Sequence, residues 1–336
     1  MATATRGERP AVRRLRSVVQ WGVLALTVWG GVDLYRFAVE LEHGRVPGFA
    51  KPLSPEGFLP IGSFMSFKLW VATGFVDTVH PAGLAIFTSA LALSLLLKKS
   101  FCGWICPVGT LSDLLGTGVA RVAGRLLRLP RWLDVPLRSL KYALLAFFLW
   151  IILAGMPPAA IREWLRTDYW KIADVKMLAF FREPSGVTLA AVGSLLALSF
   201  ATRNFWCRYL CPYGALLGLL SAGSPVKVRR DGARCVHCHR CTQSCPALLP
   251  VEDLGRVRSP ECLGCLTCVS RCPAQGALDA TLPGGRVVPP AVYALLVAIV
   301  FAAILATARA TGHWEAGVSP AEYLRIVPGL GSVNHP

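Results

Sequence analysis

Eight of the chain's twelve cysteines fall in two runs of one pattern, Cys235-x-x-Cys238-x-x-Cys241-x-x-x-Cys245-Pro246 and Cys262-x-x-Cys265-x-x-Cys268-x-x-x-Cys272-Pro273. Three thiolates this close can take three corners of an iron–sulfur cubane from one tight loop, while the fourth, sent off before a proline, completes the other cubane. The spacing therefore assigns Cys235, Cys238, Cys241 and Cys272 to one 4Fe–4S cluster, and Cys262, Cys265, Cys268 and Cys245 to a second. Zinc also takes thiolates, but the doubled spacing with both prolines favours iron and sulfide. His237 and His239 lie inside the first loop, surplus to a full set of thiolates, and read as residues that tune the cluster.

The other four cysteines repeat as well. A shift of 105 residues lays Cys102-Gly-Trp104-Ile-Cys106-Pro107-Val-Gly109 on Cys207-Arg-Tyr209-Leu-Cys211-Pro212-Tyr-Gly214. Residues four apart share a helical face, so each pair can present two sulfurs together. Cys102, Cys106, Cys207 and Cys211 are thus candidates for one joint site. It would be a third metal centre, a disulfide couple, or a stepping stone for electrons toward the bilayer. The bland alternative is four small buried side chains, which the duplication with its Pro and Gly argues against.

The elements that must position these residues are apolar. Hydrophobic residues make up 54% of the chain, charged ones only 16%, and mean hydropathy is +0.51. That composition excludes an ordinary soluble domain and points to a membrane α-helical fold. Crossing the hydrocarbon takes roughly 20 apolar residues. Five segments approach this: Val18–Val39, Phe75–Leu97, Leu140–Met156, Val187–Ala201 and Val287–Ala308, the third and fourth being short. The first is read as a retained anchor, too long for a signal-peptide core.

Alternating these five crossings sorts the charges. One side collects 24 of the 35 Lys/Arg and 8 of the 19 Asp/Glu, carrying the whole net charge of +16, while the other side balances at 11 and 11. The positive-inside rule makes the first side cytoplasmic, and anionic lipid headgroups are the partner this charge calls for, not nucleic acid. The expected organisation is a basic cytoplasmic N-terminus (1–17) and a four-helix membrane region with the duplicated cysteine pairs (18–223). An inserted cytoplasmic two-cluster ferredoxin-like α+β module (224–286), a fifth transmembrane helix (287–308) and a periplasmic tail (309–336) follow. Every cysteine then faces a reducing compartment, where thiols serve as metal ligands or redox groups more readily than as structural disulfides. After the first pair, Leu111, Leu115, Val119, Val122, Leu126 and Leu129 recur at helical steps with Arg121, Arg125 and Arg128 on another face. These suit a helix lying on the cytoplasmic leaflet.

Two C-x-x-x-C-P motifs followed by two eight-iron ferredoxin motifs, over Phe101 to Pro273, resemble the membrane-bound 4Fe–4S polyferredoxin family typified by NapH, with relatives in CcoG/FixG and the C-terminal region of NosR. The fifth helix and the tail depart from the simplest NapH pattern. The resemblance implies electron transfer in a bacterial inner membrane, between the quinone pool and a partner redox protein, as the membrane component of a quinol dehydrogenase. A second reading, on the CcoG side, is a metal-reducing assembly factor for a respiratory metalloenzyme. Ionisable residues beside a span are candidates for a quinone site, and Lys68, Asp77 and His80 stand near the outer end of the second apolar segment.

Overall fold

A computed structural model of the chain describes residues 10–122, 127, 129–331 and 333. Arg125, Leu126 and Arg128 of the expected leaflet helix lie outside them. The chain divides into two compact units, one built from 1–24, 90–145 and 195–301, the other from 25–89, 146–194 and 302–336. Each boundary falls inside an apolar helix: α1 (Pro10–Glu42), α2 (Pro81–Leu97), α3 (Arg131–Leu149), α4 (Gly186–Ala201) and α5 (Pro290–Ala310).

Among the described residues, three helical stretches are long and apolar enough to cross a membrane, Ala11–Glu42, Arg131–Gly155 and Pro290–Ala310. A fourth counts if Ala173–Arg182 and α4, bent by 82° at their junction, form one broken span. Large apolar side chains stay exposed on them, among them Trp21, Leu26, Trp29, Leu295 and Ile299. Lipid accepts such surfaces where water would penalise them, and a helix alone satisfies its backbone there. The chain is a membrane protein.

Two apolar segments begin later than hydropathy indicates. Helix α2 starts at Pro81, not Phe75. Gly74 terminates the preceding helix in a left-handed conformation, and Asp77 Oδ1 then accepts from the Val79 N–H in a tight Asx turn. Proline, pre-set for the first helical position, restarts the helix. Helix α5 starts at Pro290 because Val287–Val288 form a strand instead.

That strand closes a small antiparallel sheet. Strand β1 (Lys227–Arg230) pairs with β2 (Leu278–Thr281) in the register Lys227↔Thr281, and β2 pairs with β3 (Val287–Val288). Pinning 227–230 to 278–281 makes the intervening chain one closed loop that carries both ferredoxin motifs. Val226, Val228, Leu278 and Ala280 are buried beneath it. In the other unit the core gathers Leu34, Phe37 and Leu41 of α1 with Ile172, Val175, Tyr323 and Ile326. A second cluster there packs Met65, Leu69, Ile152, Ile161 and Trp170.

Candidate iron–sulfur and thiolate sites

The two ferredoxin loops wind alike. His237 (φ 50°) and His239 (φ 58°) take the left-handed conformation in the first loop, and Gly264 (φ 59°) and Leu266 (φ 54°) take it 27 residues later. Left-handed backbone costs a non-glycine residue roughly 1–2 kcal/mol, so three of these four positions hold strain that the fold outweighs. It turns successive cysteines inward. One cavity is ringed by Cys245, Cys262, Cys265 and Cys268, with apolar neighbours Val228, Leu249 and Val257. A second is ringed by Cys235, Cys238, Cys241 and Cys272. Each loop thus supplies three sulfurs to its own cavity and one to its neighbour's. Burial pushes the Cys245 thiol up to about 12, so bare thiolates are disfavoured there. A donor set of four soft sulfurs in an apolar shell fits a cationic metal cluster, which would hold those sulfurs ionised.

Residues that sequence reasoning passed over complete the loops. The Glu252 carboxylate, itself buried, lies 3.1 Å from His237 Nδ1 and 2.6 Å from His239 Nδ1, which gives both strained histidines a common partner. Glu252 is distant from them in sequence, so no spacing signals it. Thr267 Oγ1 donates to Cys265 Sγ at 3.3 Å.

The paired cysteines 102/106 and 207/211 do not sit on α-helix. The first cysteine of each pair lies in a single π-helical turn, Phe101–Ile105 or Trp206–Leu210, and the second closes that turn, Cys106 N–H donating to the Phe101 carbonyl and Cys211 N–H to that of Trp206. The following proline explains it. It expels the preceding cysteine from the helical region, and Cys106 and Cys211 have ψ of 119° and 104°. The wide turn absorbs the break, as π-turns at functional sites do. The second cysteine of each pair then caps a new helix, Pro107–Val122 or Pro212–Ser221. Gly214 N–H donates to Cys211 Sγ at 3.2 Å, and Gly109 and Val108 N–H donate to the Cys106 sulfur.

The repeat brings the four thiols into one electrostatic neighbourhood. Burial raises Cys102 to about 12 and Cys106 to about 11, and Cys207 upward further through Cys211, Cys106 and Cys102. The buried Lys99 ammonium opposes this beside Cys102, Cys211 and Cys207. Four sulfurs gathered in one buried neighbourhood fit a cationic metal centre, which would hold them ionised.

This turn packs directly on the second ferredoxin loop. Trp104 Nε1 donates to the Gly264 carbonyl at 3.0 Å. A side chain on Gly103 would meet the Leu263 carbonyl at 2.5 Å and Cys265 Cβ at 3.3 Å, so only glycine permits the approach. Arg16 clamps the joint, donating to the Gly103 carbonyl, Thr267 Oγ1 and Asp113 Oδ2. Lys141 Nζ meets Glu261 Oε2 at 2.6 Å, one residue before Cys262. Burial alone would raise the Glu261 carboxyl; Lys141 and Lys99 outweigh it and hold it below the usual carboxylate range.

The three quinone candidates divide. Lys68 Nζ donates to the carbonyls of Ile152, Leu153 and Met156, capping a helix end. Asp77 accepts from Ser66 Oγ and Trp170 Nε1. Both are committed to local structure. His80 instead joins a buried quartet with Lys51, Glu56 and Asp174, unmarked by any sequence motif. Lys51 Nζ lies 2.8 Å from Asp174 and 3.2 Å from Glu56, and His80 Nδ1 is 3.2 Å from Glu56.

Comparison with known proteins agrees with this chemistry. Residues 79–130 and 185–230 match a family described as "4Fe-4S binding domain", and residues 227–273 match one described as "4Fe-4S dicluster domain". The "Putative electron transport protein YccM" of Escherichia coli (strain K12) is 41% identical over 318 residues, covering 93% of this chain and 87% of the relative. The "Methylamine utilization ferredoxin-type protein MauN" of Methylorubrum extorquens is 32% identical over 254 residues, covering 70% and 74%. The "Ferredoxin-type protein NapH" of Escherichia coli is 28% identical over 266 residues, covering 77% and 85%. No solved structure matches. With that identity and coverage, and with all twelve cysteines inside the matched 4Fe–4S domains, the chain belongs to the ferredoxin-type membrane electron transport proteins.

Proposed function

We propose that the chain passes single electrons through three thiolate-held 4Fe–4S centres, between the quinone pool and a partner redox protein. Cys235, Cys238, Cys241 and Cys272 hold the first centre, Cys262, Cys265, Cys268 and Cys245 the second, and Cys102, Cys106, Cys207 and Cys211 the third. The observation that carries this reading is the crossed sharing of eight cysteines between two cavities. For the third centre, each of the two "4Fe-4S binding domain" matches contains two cysteines, so a full ligand set needs both halves of the repeat.

When bound, such clusters take up and release one electron each. The chain's own groups set how easily. N–H and O–H donors aimed at ligand sulfurs stabilise the more negative, reduced state, and Gly109, Gly214 and Thr267 supply them. The Trp104–Gly264 contact supports a third centre beside the second, and the thiol of Cys268 lies within electrostatic reach of Cys241. The order is therefore linear, first to second to third. The charge segregation favours five crossings with the N-terminus and all three centres cytoplasmic and the C-terminus periplasmic.

Anaerobic titration of the purified full-length protein with decylubiquinol, read by low-temperature EPR, tests the reading. Cluster signals that grow with added quinol are expected. Clusters reducible by dithionite but inert to ubiquinol and menaquinol analogues would remove the quinone pool from it.

A further inference from the structure

Two adjacent lysines, Lys98 and Lys99, follow the end of α2, where the sequence counts them among the charges that face lipid headgroups. The structure buries both, Lys98 at 2% and Lys99 at 3% exposure. Lysine is rarely buried so fully without a counter-charge. Lys98 takes left-handed backbone (φ 61°), which ends the helix there, and the two side chains go to different places.

Lys98 runs along the second ferredoxin loop. A side chain on Gly264, the residue before Cys265, would meet Lys98 Cβ at 3.2 Å. The ammonium donates to the carbonyls of Arg258 and Ser259 at 3.3 and 3.2 Å, and the Ser259 carbonyl also accepts from the Cys262 N–H. Burial draws the Lys98 amine down, and the Cys262 thiolate opposes that pull. Lys227 and Arg256 crowd the same place. Three cations gathered here call for an anion.

Lys99 turns to the other cysteines. A side chain on Gly214 would lie 3.4 Å from Lys99 Nζ and 3.5 Å from Cys211 Sγ, so ammonium and sulfur face each other across one glycine. Its field also reaches Cys102 and Cys207. The carboxylate in range, Glu261, is already held by Lys141 Nζ at 2.6 Å and Tyr142 Oη at 2.9 Å. Two ammoniums against one carboxylate leave a positive charge beside the third ligand set.

We infer that the two lysines serve different centres, the Lys98 ammonium raising the reduction potential of the second and the Lys99 ammonium that of the third. The Lys99 half rests on the three-centre reading proposed above; the Lys98 half needs only the second ferredoxin cluster. A cluster with its four thiolates is an anion, and each electron taken up makes it more negative. A buried cation beside it, poorly screened by water, favours that step. The lysines bind and release nothing: the centre gains one electron from its donor, and no proton moves.

The test is an anaerobic redox titration of the full-length protein, read by low-temperature EPR. Cys245→Ser, and the fourfold Cys→Ser variant at 102, 106, 207 and 211, identify which signal belongs to which centre. Lys98→Met should make the second centre about tenfold weaker as an electron acceptor, a potential lower by about 59 mV for one electron, and move the third less. Lys99→Met should do the reverse. Lys→Arg at either position keeps the charge and should keep the wild-type potential. Unchanged potentials in the Met variants, or a larger shift at the wrong centre, overturn the inference. If a Met variant loses its centre, iron content of the matching Arg variant decides. A centre retained there supports the role of charge; one lost there too assigns the lysine to packing and overturns it. Wild-type protein with about eight irons in place of about twelve overturns the third centre and the Lys99 half together, while the Lys98 half stands or falls on the second centre's potential.

Discussion

The indole N–H of Trp104, midway between Cys102 and Cys106, donates to the carbonyl of Gly264, the residue before Cys265, at 3.0 Å. A membrane-border cysteine turn and a ferredoxin loop, 160 residues apart in sequence, are thereby held in one register. Both groups are buried. Trp104→Phe leaves the carbonyl unpaired and should destabilise the joint by about 1–3 kcal/mol. Chaotrope-induced bleaching of the cluster absorbance measures it, and an unchanged midpoint would mean that the contact contributes nothing.

Glu261→Gln should cost more. It strands the fully buried Lys141 ammonium, and removing one partner of a buried pair typically costs about 3–5 kcal/mol. The sign with pH follows from the depressed carboxyl. Its contribution is fully present above the unfolded value near 4.5 and is lost as pH falls through the lower folded value. Unfolding of wild type and variant at pH 7 and below pH 4.5, after cluster removal, should show a gap that closes in acid. A gap independent of pH would assign the effect to packing.

The crossed ligand sets predict which cluster each fourth cysteine serves. Cys245→Ser should perturb the EPR signal of the cluster on Cys262, Cys265 and Cys268, and Cys272→Ser that of the cluster on Cys235, Cys238 and Cys241. Damage confined to the loop that contains the substituted residue would contradict the crossing.

For topology, reporters fused after Gly223 and after Pro336 should report opposite compartments if the proposed five crossings hold, the first cytoplasmic and the second periplasmic. Equal cytoplasmic signals would remove the fifth crossing.

How much of this was legible beforehand depends on the range of the interaction. The ferredoxin ligand pattern is local, set by loop spacing and a proline, and so is plain in the sequence. The 105-residue repeat was legible too, but its geometry was not: four-residue spacing implies an α-helical face, and only the demand of Pro107 and Pro212 on the preceding cysteine produces a π-turn. Helix starts at Pro81 and Pro290 differed from the hydropathy boundaries because an Asx turn and a strand pair claim apolar residues that a window average cannot separate. Glu252, Glu261 and Lys51 escaped notice altogether. Each acts through a partner 13 to 123 residues away, and single carboxylates or lysines carry no pattern.

Iron and acid-labile sulfide content of the anaerobically purified full-length protein tests the three-centre account most directly, measured beside a variant carrying Cys→Ser at 102, 106, 207 and 211. The account predicts about twelve irons per chain in the wild type and about eight in the variant, with the ferredoxin EPR signals retained. Equal iron in the two proteins, or zinc in place of iron, would contradict it.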